Sequence, residues 1–226
     1  QSLAAVSSNV ALINLIVNVV IGLSIGTNVV MSQAIGSNDE GRAQRTLHTS
    51  VLIALIGGVT VALIGVFCAK YFLIWMKTDP EILDKATDYL FIYFIGTPAA
   101  VLYNFGASIL RAKGDTARPL IYLSVAGVVN VCLNLIFVIV CKLDVKGVAI
   151  ATIVSQYLSC IMLVFTLFRE KGYCKLDLKK LRIHKKELLQ VLRVGLPSGI
   201  LNSFFSIANV LVSENCPMTI KSAALN

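Results

Sequence analysis

An all-α, polytopic membrane helix bundle of about six transmembrane helices is the fold class that this sequence predicts. Three observations lead there. Hydrophobic residues make up 57% of the 226-residue chain and charged residues only 14%, against about a quarter charged in an average soluble domain. The apolar residues gather into six runs long enough to cross a bilayer. Nearly all the charges lie in the stretches between those runs. A net charge of +8 would suggest nucleic acid as the partner of a soluble protein. Cations confined to loops between spans need no nucleic acid, and the expected partner is the lipid bilayer.

Crossing the hydrocarbon as a helix takes about 20 residues, because each rises about 1.5 Å through a layer about 30 Å thick. The first run has no charge before Asp39 and extends from about Ala5 to Ile35; the second runs from Leu47 to Ala69. The third is charge-free from Tyr89 to Leu110, with an amphipathic entrance from Pro80 to Asp88. The fourth spans Leu120 to Val140, the fifth Gly147 to Phe168 and the sixth Val194 to Ser213. Short loops join the first five, so successive helices are antiparallel. One long basic connection, Arg169 to Arg193, precedes the sixth. Pro98 and Pro197 fall inside the third and sixth runs, where each removes a backbone donor and bends its helix.

Lys and Arg accumulate on the cytoplasmic side of membrane proteins. Loops one, three and five hold fourteen of them, loops two and four only five. The first helix is therefore expected to end in the cytoplasm, in a multi-pass protein of the cell membrane. The run Lys179 to Glu187, KKLRIHKKE, reads as a basic cytoplasmic loop. His48 and His184 lack metal-ligand spacing and are expected to be solvated or interfacial. The six cysteines form no CxxC pair and read as small buried hydrophobes. Gln1 is not an initiating Met and enters an apolar run without a signal-peptide pattern, which reads as a truncated N-terminus.

Inside the runs there is no central Asp, Glu, Lys or Arg, and polarity comes from amides, hydroxyls and phenols in stripes. Asn14, Asn18, Gly22 and Gly26 recur every four residues on the first helix. Tyr89, Tyr93, Gly96, Ala100 and Tyr103, with Asn104 adjacent, share a side of the third. Ser124, Gly127, Asn130 and Asn134 form a face of the fourth; Thr152, Ser155, Gln156 and Ser159 one of the fifth; Asn202, Ser206 and Asn209 one of the sixth. Helix packing accounts for Gly22-x-x-x-Gly26 alone. Five polar faces leave two readings open, packing and a shared polar cavity. Candidate cavity residues are Asn14, Asn18, Tyr93, Tyr103, Asn104, Gln156, Asn202 and Asn209. No catalytic acid, histidine or metal cluster stands at membrane depth, so neither an enzyme nor a cofactor is expected.

The segment Ile109 to Pro119, ILRAKGDTARP, resembles the loop between helices four and five of the multidrug and toxic compound extrusion (MATE) transporters. Gln33 to Asp39 (QAIGSND), Asn130 to Asn134 (NVCLN) and Gly147 to Thr152 (GVAIAT) are similar to the same family, in matching order and spacing. The resemblance covers about residues 1 to 212 and implies a partial MATE-type fold. By that register the six helices correspond to helices two through six of the N-terminal lobe and helix seven of a twelve-helix protein. Residues 1–170 would then be a partial N-terminal lobe, 171–193 a basic cytoplasmic inter-lobe loop, and 194–226 the first helix of the C-terminal lobe with the start of the next loop. The C-terminal Ser222 to Asn226 echoes Ser2 to Asn9, as a repeated lobe would, while Glu214 to Lys221 departs from the family.

What the resemblance implies is a cation-coupled antiporter, driven by Na⁺ or H⁺, that expels small amphipathic or cationic organic compounds by alternating access, monomeric when full length. The family's N-lobe cation cluster maps by position onto Asn130, Asn134 and Thr152, together with a helix-one Asp that the register places before Gln1. Asn134 stands where many members have Asp; its amide does not titrate, while its carbonyl can still ligate Na⁺. A helix-seven Glu of some members has no match here, its position falling near Phe205. The competing expectations are a lipid-linked saccharide flippase of the same superfamily, whose cavity usually carries cations that these spans lack, and a non-transporting structural module.

Overall fold

The computed structural model describes the backbone of residues 2–75, 80–140, 144–170, 172–177 and 180–215. Among these, six α-helices carry the chain: α1 (Ser2–Gly36), α2 (Glu40–Trp75), α3 (Pro80–Ala112), α4 (Ala117–Leu135), α5 (Asp144–Arg169) and α6 (Lys185–Asn215). No strand occurs among the described residues. Every helix contains a stretch long and apolar enough to cross a membrane.

The helices outrun the apolar runs. α2 begins at Glu40 rather than Leu47, and α6 begins at Lys185 rather than Val194. Residues 185–193 are therefore helical instead of belonging to a loop that lasts to 193. Hydropathy marks only the part of a helix that dissolves in hydrocarbon; turns that project into the headgroup layer take Lys, Arg and Glu, which are good helix formers. α4 ends at Leu135 and widens into a π-helical turn at Ile136–Val140. Most of the atypical stretch Glu214 to Lys221, and the echo at Ser222 to Asn226, lie outside the described residues.

The two turns that carry family-like motifs share one construction. After α1, Asn38 takes φ 56°, its N–H donates to the Ile35 carbonyl and the Asp39 N–H to the Ala34 carbonyl. After α3, Gly114 takes φ 93°, its N–H donates to the Arg111 carbonyl and the Asp115 N–H to the Leu110 carbonyl. Both are paired closures around one left-handed residue, which Asn and Gly tolerate best. Each Asp then accepts an N–H of the next helix, Arg42 at 2.8 Å and Arg118 at 3.2 Å.

Buried apolar side chains gather at the end of the bundle where these turns lie. Met31 and Ala34 of α1, Leu47 of α2, Ile109 and Leu110 of α3, and Leu163 and Leu167 of α5 pack with Cys174 and Leu176 of the connection to α6. Toward the other end Leu63, Phe67 and Tyr71 of α2 are exposed. So is most of α4, on which only Pro119 and Ala126 are buried. Cys160 and Cys174 are buried as expected, but Cys132 is exposed on α4. Burial pushes the Cys174 thiol up to about 11, so it stays protonated. His48 corrects the solvated expectation: it is 3% exposed, with Nδ1 2.7 Å from the Gln44 carbonyl and Nε2 accepting the Asp177 N–H at 3.2 Å. Just past α5, Glu170 accepts hydrogen bonds from Lys113 and Arg118 and clips the α3–α4 turn to the end of α5.

α1 and α6 approach each other backbone to backbone. A Cβ added at Gly22 would stand 2.3 Å from the Gly199 nitrogen, and one at Gly26 would stand 2.5 Å from the Val191 carbonyl. Reciprocally, a Cβ at Gly195 would meet Leu23 Cα at 2.7 Å and one at Gly199 would meet Val19 Cα at 2.9 Å. Gly22-x-x-x-Gly26 thus packs on a second pair at the same spacing, Gly195-x-x-x-Gly199. Gly58 plays the same part against Pro98 Cα of α3, 2.8 Å from its added Cβ.

Gly22→Ala is expected to lower stability by about 2 kcal/mol or more, since backbone cannot step aside as a side chain can. Gly57→Ala, whose Cβ meets nothing within 4 Å, is expected to be neutral or to stabilise by up to about 1 kcal/mol. Thermal unfolding in detergent compares the two. The Lys113 hydrogen bond leads the effects that hold the Glu170 carboxyl below its ordinary 4.5. A lowered folded value stabilises the fold above the ordinary carboxylate range, and that contribution fades as pH falls through the folded value. Glu170→Gln should therefore cost under about 1 kcal/mol at pH 7, the cations being partly exposed, and progressively less as pH is lowered below the ordinary carboxylate range in the same unfolding assay.

Candidate functional site

α4 and α5 lie side by side, and their polar faces make one chain of hydrogen bonds. Asn134 Nδ2 donates to Asn130 Oδ1 at 3.0 Å, one helical turn away. Asn130 Nδ2 donates to Ser155 Oγ at 3.3 Å, and Ser155 Oγ donates to the Thr152 carbonyl at 2.7 Å. The chain runs one way, so the oxygen at its head has no donor: Asn134 Oδ1 is buried without a partner among the described residues. A buried amide oxygen left so costs about 1–3 kcal/mol, which a bound cation or water would offset.

Thr152 enters this group by its backbone, because its hydroxyl donates to the Val148 carbonyl at 2.9 Å. Ser155 makes the side-chain link instead. It lies three residues after Thr152 on the same stripe, which was the available signal, but the family motif ends at Thr152.

Gln156, one residue further on, presents a second buried acceptor without a partner among the described residues, Oε1. That oxygen would lie 2.5 Å from a Cβ at Gly96, so the absent side chain on α3 makes the space that the amide fills. Tyr157 OH donates to the Ile95 carbonyl at 3.1 Å across the same contact. Tyr93 is exposed and stacks on Tyr89, ring centres 6.3 Å apart. Two other candidates are occupied locally: Asn104 Nδ2 donates to the Ala100 carbonyl at 2.9 Å, and Tyr103 OH donates to the Pro119 carbonyl at 2.6 Å, stapling α3 to the start of α4. Asn18 and Asn202 are half-buried and each has an interaction, while the side chains of Asn14 and Asn209 lie outside the described residues. On α1 the stripe holding Asn18 is the one that packs on α6, so at Gly22 and Gly26 it serves helix contact.

A family model described as MatE matches residues 1–136. The chain belongs to the MatE family. Over 219 residues this MatE chain is 28% identical to the "Probable multidrug resistance protein YoeA" of Bacillus subtilis (strain 168), covering 94% of this chain and 47% of that protein. It spans about half the length of the curated relatives it matches. It superposes on an outward-facing conformation of a multidrug resistance MATE family transporter of the MOP superfamily with TM-score 0.82 and 27% identity, covering 94% of this chain and 47% of that one. An inward-facing conformation of such a transporter gives TM-score 0.78 and 28% identity, covering 88% and 45%. The multi-pass membrane architecture expected from the sequence is that of the MatE family.

The unpartnered oxygen of Asn134 predicts a wet face between α4 and α5. A cysteine at Asn130 should react with a small charged thiol reagent added to the solubilised protein, at a rate within about tenfold of one at an exposed position. A thiol as inert as one at the buried Leu163 would mean dry packing.

Proposed function

We propose that this chain works within a cation-coupled antiporter, driven by Na⁺ or H⁺, that exports drugs or metabolites of amphipathic or cationic character across the cell membrane by alternating access. Asn130, Asn134 and Thr152 belong to its coupling-ion site in this reading, joined by Ser155. The observation that carries it is the buried Asn134 Oδ1 without a partner, at the head of a hydrogen-bond chain that holds its amide fixed. Neutral amide, hydroxyl and carbonyl oxygens suit a hard cation such as Na⁺. Proton carriage would need a titrating acid from elsewhere in the protein.

The relatives support transport of small organic compounds, since YoeA carries the name of a probable multidrug resistance protein. Likeness to both an outward-facing and an inward-facing transporter supports alternating access. In that cycle α1 to α5 form part of the N-terminal lobe, and α6 opens the C-terminal lobe. Ion binding at α4 and α5 shifts the balance between the two states by as much as its affinities for them differ.

Replacing Asn130 and Asn134 together by Ala in the full-length protein should abolish the dependence of drug efflux on Na⁺ while leaving the protein in the membrane at its usual level. Efflux by the variant that keeps the parent's dependence on Na⁺ and pH would sink this assignment. A dead transporter with normal drug binding would locate the defect in coupling.

A further inference from the structure

A concavity lies away from these amides, at the end of the bundle that holds the buried core. It encloses about 400 Å³ between the first turns of α2 and the connection to α6, and its walls carry Arg45, His48, Lys180, Arg182 and His184. Among the described residues, no carboxylate lines it. Arg45 is shared with Glu187 at 2.9 Å, while neither Lys180 nor Arg182 has a carboxylate partner among the described residues.

A solvated basic loop would spread such charges apart, yet this one is pinned at both ends by consecutive residues of α2. His48 Nε2 accepts the Asp177 N–H at 3.2 Å, and Thr49 Oγ1 accepts the His184 N–H at 3.1 Å. Both anchors are buried, and Leu176 is buried within the same segment. Because Asp177 donates to Nε2, the His48 proton sits on Nδ1, facing the Gln44 carbonyl. The backbone that carries Lys180 and Arg182 is thus held in a conformation that concentrates their charge, and a bound anion would relieve the repulsion.

We infer that this concavity binds a phosphate group, held by Lys180 and Arg182 with Arg45 at its edge. The phosphate belongs either to an anionic phospholipid of the cytoplasmic leaflet or to a soluble phosphorylated compound. Ile183, 41% exposed between Arg182 and His184, and Leu189, 68% exposed one turn into α6, add exposed apolar side chains to the same stretch of chain, as a lipid-binding surface would. This site is independent of the transport reading and of the amides on α4 and α5.

Purified protein in neutral detergent, titrated with phosphatidylglycerol, phosphatidylcholine or inorganic phosphate and read by native mass spectrometry and thermal shift, tests it. Phosphatidylglycerol should bind at least about fivefold more tightly than phosphatidylcholine, and Lys180→Gln with Arg182→Gln should remove that preference. Lys175→Gln with Lys186→Gln deletes the same charge outside the concavity and should change binding less than about twofold. His48→Ala, which removes the acceptor of the Asp177 N–H and keeps Lys180 and Arg182, should weaken binding as well; should that variant fail to fold, the charge pairs decide alone. Stabilisation by inorganic phosphate without lipid preference, lost in the Lys180/Arg182 pair only, assigns the soluble source. Equal losses in the two charge pairs, or no response to either phosphatidylglycerol or phosphate, would overturn the site.

Discussion

Hydrocarbon solvates neither charge nor an unpaired peptide group, and the organisation of this protein follows from that. The backbone closes its hydrogen bonds within each helix, so strands with open edges are not available to it. Hydroxyls inside the spans do likewise: Thr60, Thr152, Thr166, Ser198 and Ser203 each donate to the carbonyl four residues earlier in their own helix. Charges move to the ends, where they still do structural service. Lys113, Arg118 and Glu170 tie one turn to α5, and Arg45 with Glu187 ties the start of α6 to α2. What polarity remains at depth and is not self-satisfied stands out by contrast, and among the described residues Asn134 and Gln156 are its instances.

The sequence makes the spans legible because burial in lipid needs a long uninterrupted apolar stretch, and little else produces one. Helix ends are less legible. Lys185, Lys186 and Glu187 look like loop by hydropathy but are good helix formers outside the hydrocarbon, and they open α6. His48 looks like an interfacial residue because its neighbours in sequence are polar; it is buried because a connection more than a hundred residues later folds back over it. No local pattern carries that information. The glycines divide in the same way. Gly22 and Gly26 advertise a contact by their spacing, while the identity of the other surface, Gly195 and Gly199, depends on which helix arrives there.

At the candidate ion site the residue types were readable and their connections were not. The four-residue spacing of Asn130 and Asn134 places them on one face, and their hydrogen bond follows from that geometry. That Ser155 rather than the Thr152 hydroxyl meets Asn130 depends on the rotation of α5 against α4, which periodicity leaves undetermined. The motif-bearing turns were recognisable for a related reason. A left-handed Asn or Gly followed by Asp is a backbone requirement, which few other residues meet.

The α1–α6 seam bears on how the protein can move. Interlocking side chains resist sliding because each must leave one notch and find the next, changing rotamer on the way. The two glycine tracks bring no side chains of their own to the seam. With backbone resting on backbone at Gly22, Gly26, Gly195 and Gly199, displacement of one helix along the other would require no rotamer change at these four positions.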